Sequence, residues 1–213
     1  MLIEAAPGIF AWQTKDMTRF RAYAVAWAGE VVLIDPVEPD AEEAAALAGL
    51  GKVGAIALTN AFHERASAKL AAHYGVPVYA SREALAELKN KQAQPLPDLL
   101  PAGIEVLPAM HGLAGQVCFY VPRDGGSLLT GDAWHNEDLA ALPLPVRLLL
   151  KHVVKLRQGL QPTPPSKCKD LAAFQAQLKA MLDRPVERML TAHGENVTAG
   201  AGPRMVARLA EGP

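Results

Sequence analysis

The chain has 213 residues, 50% hydrophobic and 20% charged, with a formal net charge of −1. That length suits one domain with a sizeable core and is short for two. The near-neutral charge excludes a whole-protein attraction to nucleic acid or acidic membranes, and two lone cysteines, Cys118 and Cys168, exclude a disulfide scaffold or thiolate zinc site.

In chain order, residues 9–13, 20–28 and 30–35 read as strands, with Gly29 turning between the last two. Asp40 opens a short alanine-rich helix, Glu42 and Glu43 suit the dipole of its first turn, and Gly49 and Gly51 close it. Residues 53–59 are β-branched and apolar, a pattern that predicts a strand buried on both faces. Ala66, Leu70 and Tyr74 recur at helical spacing over residues 64–74, ahead of Gly75. A strand over 76–80 and a helix over 82–91 follow, before Pro95, Pro97 and Pro101 enforce an irregular connection. Residues 104–109, 115–121 and 127–130 predict three strands, the last two joined by Arg123-Asp124-Gly125-Gly126. A helix over 171–182, a strand over 186–191 and a terminal helix over 203–209 complete the chain.

Between them lies a basic segment. Residues 139–169 contain no Asp or Glu but carry Arg147, Lys151, Lys155, Arg157, Lys167 and Lys169. Val146, Leu149, Leu150, Val153, Leu156 and Leu160 follow helical spacing, which predicts a basic amphipathic helix over about 144–160. The plain reading packs its apolar stripe on the domain, or on a second copy in a homodimer. The alternative is a cationic rim for an anionic partner, although few aromatics argue against nucleic acid. No segment approaches a membrane span and the N-terminus lacks a basic start with an apolar core, so a cytoplasmic location is the expectation.

Five segments in order carry a family resemblance: Val31-Val32-Leu33-Ile34-Asp35, Leu58-Thr59-Asn60-Ala61-Phe62-His63-Glu64-Arg65, Val106-Leu107-Pro108-Ala109-Met110-His111-Gly112, Leu128-Leu129-Thr130-Gly131-Asp132 and Leu190-Thr191-Ala192-His193-Gly194. Each ends a predicted strand. Together they resemble the metallo-β-lactamase superfamily, in which a strand ending in Leu-Thr precedes the zinc motif His-x-His-x-Asp-His. The resemblance implies an α+β fold, the four-layer αββα sandwich, over residues 1–213 as one domain. It places Asn60, Phe62, Glu64 and Arg65 at the ligand positions of that motif, His111 at the third histidine, Asp132 at the metal-bridging aspartate and His193 at the last histidine.

Those side chains make a poor dinuclear centre. Phe62 offers no lone pair, the Asn60 amide is a weak zinc ligand, and Arg65 stays protonated and repels a dication. Glu64, Asp132 and His193 remain as the set for one divalent metal: zinc, iron or manganese. The reading ranked first expects no cofactor, with the Arg65 guanidinium forking onto Asp132 or Glu64 in place of the ion. His63 falls between ligand positions and is expected as an exposed or helix-start histidine that still borders the cleft. His135 is expected at the cleft mouth or on a surface turn, and Asp35 in a structural role, accepting from nearby backbone amides. The functional expectation is accordingly a metallo-β-lactamase-fold protein with a degenerate metal site, whose cleft takes a small-molecule ligand. A hydrolase of esters, thioesters, lactones or phosphodiesters using one metal on altered ligands, with Asp132 and His193 catalytic, is the second reading. A module in which the basic helix meets an anionic partner is the third.

Overall fold

Strand side chains alternate between two apolar environments, and this alternation builds the molecule in layers. The computed structural model describes residues 1–16, 19–109, 111–113 and 115–212. A seven-stranded sheet takes β1 (Ile3–Ala6), β2 (Ile9–Gln13), β3 (Arg21–Trp27), β4 (Glu30–Ile34), β5 (Lys52–Ala57), β6 (Val78–Ala80) and β7 (Gln94–Pro95) in that order. Its first four strands are antiparallel, and β4 through β7 run parallel. The facing sheet draws on β8 (Leu99–Leu100), β9 (Ile104–Pro108), β10 (Val117–Val121), β11 (Ser127–Gly131) and the late strand Arg188–Thr191, which pairs parallel with β11. Between β11 and that strand, β12 (Trp134–Glu137) and β13 (Gly159–Pro162) form a separate antiparallel ribbon. The late strand is therefore β14.

Three cores separate four layers. Val32 and Ile34 of β4 face Val117, Phe119 and Val121 of β10 between the sheets. Val31 and Leu33 face outward onto Leu47 of α1 (Ala41–Leu50), Leu70 of α2 (Ser67–Tyr74) and Ala84 of α3 (Arg82–Glu87). On the other side, Cys118 and Tyr120 of β10 pack with Phe174 and Leu178, which precede the terminal Met205 in chain order. A short helix, α4 (Leu144–Leu149), belongs to the basic segment, while α5 (Leu171–Met181) and α6 (Ala201–Ala210) supply those outer side chains. Each large side chain so buried contributes roughly 1.5–3 kcal/mol of transfer free energy. The layers are αββα, and their order follows from which alternate residues of each strand are apolar. Local signals agree with them: Asp40 and Glu43 form a reciprocal cap on α1, and Gly75 ends α2 in the left-handed conformation.

Two expectations are corrected. The basic segment is not one helix over 144–160. After α4 the chain makes a π-helical turn, Leu150–Val154, and Lys155 then turns left-handed at φ 68°. Leu156 is buried and Leu160 lies in β13, so their helical spacing served a loop and a strand instead. The ribbon strand β12 was not expected, because Trp134-His135-Asn136-Glu137 lacks regular alternation and its partner is some 25 residues away in the chain. Short strands β1, β7 and β8 also escaped, being two to four residues long.

The carboxyl ends of β4 and β5 meet those of β11 and β14 at one edge of the sandwich. The Val117 amide donates to the Thr59 carbonyl at 2.8 Å, joining the two sheets there. Gly131, at φ 52°, lets the chain close in: a Cβ at this position would lie 2.4 Å from Thr59 Oγ1 and 2.9 Å from Gln116 Nε2. Gly131→Ala is therefore expected to destabilise the protein by about 1–3 kcal/mol from backbone strain, with the displacement of Thr59 adding to it. Gly54→Ala, where the added methyl meets nothing within 4 Å, should cost far less; denaturant unfolding of both variants measures the difference.

Candidate metal centre

Asp35, directly after β4, takes a positive φ of 49° and turns its carboxylate toward the loop after β5. Its Oδ1 accepts from the Thr59 amide at 2.8 Å, and its Oδ2 accepts from the Thr59 hydroxyl at 2.6 Å. The same Oδ2 lies 2.7 Å from His63 Nδ1. The loop itself is set by Asn60, whose Oδ1 accepts from the Phe62 amide and starts a 3-10 turn, Ala61–His63. That turn swings His63 inward until it is only 2% exposed. The expectation of an exposed histidine is corrected. Position in the motif frame does not decide where a side chain points once the turn tightens.

Asp132 follows Gly131 and is the hub. Asn60 Nδ2 donates to its Oδ2 at 3.0 Å while also donating to Gln116 Oε1 at 2.9 Å. His63 Nε2 lies 3.2 Å from Oδ2, and His193 Nε2 lies 3.1 Å from Oδ1. Both imidazole contacts have ion-pair distances without hydrogen-bond alignment, so Oδ1 is buried with no hydrogen-bond donor among the described residues. His193 is further fixed by an edge contact on Phe20 at 5.3 Å and by stacking on His135 at 6.2 Å. Its loop is anchored from β3, where Arg21 donates to the carbonyls of Thr191 and Gly194, and Tyr23 donates to the Thr191 carbonyl.

Electrostatics follow from this packing. Burial disfavours a charged His63, but Asp132 and Asp35 outweigh it and push its pKa up to about 9. Burial likewise opposes an ionised Asp132, and His63 and His193 overcome that, holding its carboxyl well below the usual range. His135 lies in β12, where burial above all brings its pKa down to about 4 against the opposing pull of Asp132. It is a neutral imidazole whose buried Nδ1 has no partner among the described residues.

Other residues named from the sequence lie elsewhere. Glu64 accepts from the amides of Lys89 and Asn90 at 2.9 and 2.6 Å, beyond the end of α3, and does not face Asp132. The extra methylene that separates it from an aspartate gives it that reach. Arg65 does not fork onto Asp132 or Glu64. Its positive φ of 38° aims the guanidinium over the Phe20 ring, 4.5 Å from the centroid, where it donates to the carbonyls of Arg21 and Asp35. Phe62 is exposed. The His111 side chain is exposed too, while its carbonyl accepts from the amides of Lys169 and Asp170; the neighbouring Met110 lies outside the described residues. Thr59 and Gln116 escaped the sequence reading, since nothing in an uncharged Thr or Gln marks a buried network.

The positions at which the resemblance expects further ligands carry Asn60, Phe62, Glu64 and Arg65 in the arrangements above. One group among the described residues could hold a metal ion. His63, Asp132 and His193 each present a donor atom within 4.8 Å of one another. Ligand atoms about 2.1 Å from a shared ion stand roughly 3.0–3.4 Å apart, which brackets the two His–Asp distances here. Two imidazoles with one carboxylate are a common set for zinc or iron. Asp35 behind His63 Nδ1 is the carboxylate that orients a ligating histidine through its far nitrogen.

Neither a family model nor a curated protein matches the chain. Solved structures do. The di-iron-bound form of TTHA1623 is 25% identical, with a TM-score of 0.64, covering 92% of this chain and 98% of that one. A metallo-β-lactamase from Hirschia baltica is 11% identical, with a TM-score of 0.67, covering 99% of this chain and 96% of that one. The flavodiiron protein from Giardia intestinalis is 17% identical at a TM-score of 0.65; 99% of this chain spans 59% of it. With the four layers and the site edge already placed, these likenesses give the chain the fold of the metallo-β-lactamase superfamily.

Proposed function

We propose that this protein binds a single divalent ion on His63, Asp132 and His193, and hydrolyses an ester-like substrate there instead of on the paired ions of its fold. The observation carrying this reading is the buried Asp132 carboxylate, with His193 Nε2 3.1 Å from Oδ1, His63 Nε2 3.2 Å from Oδ2, and no aligned hydrogen bond on Oδ1 among the described residues. A buried carboxylate oxygen left so is costly unless a cation meets it. Held by His63, Asp132 and His193, such an ion would supply Lewis acidity toward an acyl or phosphoryl oxygen and would acidify water.

The chain's own residues do the positioning. Asp35 holds the proton on His63 Nδ1 and leaves Nε2 free to ligate. Asn60 fixes the Asp132 carboxylate through Oδ2, and Gln116 fixes Asn60. His193, partly exposed, forms the solvent side of the centre, where substrate enters. His135 stays neutral beside it, because burial makes it too weak a base to hold a proton near neutral pH.

A second reading rests on one observation. Both ring nitrogens of His63 face carboxylates, Nδ1 on Asp35 at 2.7 Å and Nε2 on Asp132 at 3.2 Å. Doubly protonated, the imidazolium would itself be the cation, leaving a degenerate, metal-free cleft for a small ligand.

Elemental analysis of protein purified without chelator separates the two. The proposal expects about one zinc, iron or manganese per chain, lost with His63→Ala or Asp132→Ala and retained with Glu64→Ala. Metal-free protein with a thermal midpoint indifferent to added zinc would rule it out and leave the imidazolium reading. The sign of the pH dependence gives a further check on the chelated protein. With a folded pKa of about 9 above an unfolded value near 6.5, the charged His63 stabilises fully below pH 6.5. That contribution, on the order of 3 kcal/mol, should fade between pH 6.5 and 9, and His63→Gln should flatten the profile in a pH series of denaturant midpoints.

A further inference from the structure

The basic segment carries an observation that the cleft does not use. Ten large hydrophobic side chains are exposed among the described residues, and four of them fall within residues 144–153. Leu144 is 56%, Leu148 46%, Leu149 52% and Val153 60% exposed. No residue of α4 or of the π-helical turn after it is buried. Of the apolar stripe expected to pack on the domain, Leu149 and Val153 face solvent, Val146, Leu150 and Leu160 are half-covered and Leu156 is buried, while Leu144 and Leu148 add to the exposed face. The segment leaves the β12–β13 ribbon at the Glu137–Gly159 end and returns to it, so it stands as an arm held at both feet.

Its charge is of one sign. No Asp or Glu occurs from residue 139 to 169, and Arg147, Lys151, Lys155 and Arg157 take part in no ion pair among the described residues. Lys151 and Lys155 are exposed beside the four aliphatic side chains. The partner must therefore be apolar and anionic together. A second copy meeting this face through its own would set cation against cation. A protein groove reads anchors along one narrow stripe of regular helix, at three- and four-residue spacing. Here Leu144, Leu148, Leu149 and Val153 spread over half the circumference, and the π-helical turn breaks their register. A fluid surface accepts such a wide face, and acyl chains with phosphate headgroups offer both chemistries.

We propose that residues 144–154 dock on an anionic phospholipid surface, with the four aliphatic side chains entering the headgroup boundary and Lys151 and Lys155 meeting lipid phosphates. No helix among the described residues is long and apolar enough to cross a membrane, so the contact is peripheral. The test is co-sedimentation of the full chain with vesicles of phosphatidylcholine alone or mixed with phosphatidylglycerol. Binding to the anionic vesicles is expected, weakening with salt. Lys151→Glu/Lys155→Glu should reduce it more than tenfold, since each cation is worth about fivefold near such a surface. Leu148→Ser/Leu149→Ser should abolish it while the thermal midpoint stays unchanged, as both side chains are already exposed. Equal partitioning to neutral and anionic vesicles, or no binding at low salt, overturns the proposal. So does a dimer in sedimentation velocity that the leucine variant dissolves and vesicles do not compete with.

Discussion

Two buried carboxylates, Asp35 and Asp132, converge on one imidazole, and the rest of the site is arranged around that convergence. Burying either charge is costly without positive charge in direct contact, and the pair repel each other as well. The chain meets this constraint with side chains from both sheets. Asp35 and His63 come from the ends of β4 and β5, while Asp132 and His193 come from the ends of β11 and β14. The hydrogen bond between Val117 and Thr59 and the glycine gap at residue 131 hold those ends together. Site and sandwich are thus one problem: the inter-sheet core brings the edges close, and the polar network decides how closely they can stand.

The cleft reuses a familiar frame with a different distribution of roles. The loop after β5 has its side chains displaced by one step, so that His63 faces inward where Phe62 and Glu64 face away. Asn60 keeps a polar contact with Asp132 but as a donor, which suits a carboxylate and not an ion. Arg65 neither ligates nor pairs; stacked on Phe20, it tightens the β3 edge under His193. The result is a cluster of His63, Asp132 and His193 with the Asp35 carboxylate behind its buried imidazole.

Much of this was legible in the residues. Alternation in β4 and β10, the reciprocal cap of Asp40 and Glu43 and the glycine stop after α2 all act locally, and local physics is what a sequence displays. The placement of Asp132 beside His193 follows from parallel strands ending together. What was not legible depends on contacts far apart in the chain. Whether His63 or Glu64 turns inward is decided by Asp35, 28 residues earlier, and by the amides of residues 89 and 90. Helical spacing in the basic segment hid a bend, because Leu156 and Leu160 are apolar for the sake of a loop and a ribbon strand.

The account turns on what stands between Asp132 and the two imidazoles. Anomalous diffraction from crystals grown without chelator addresses it most directly. The account predicts one peak about 2.0–2.2 Å from His63 Nε2, an Asp132 oxygen and His193 Nε2, with Asp35 still on His63 Nδ1. A cleft without a peak, in which His63 Nε2 donates squarely to Asp132, would contradict it.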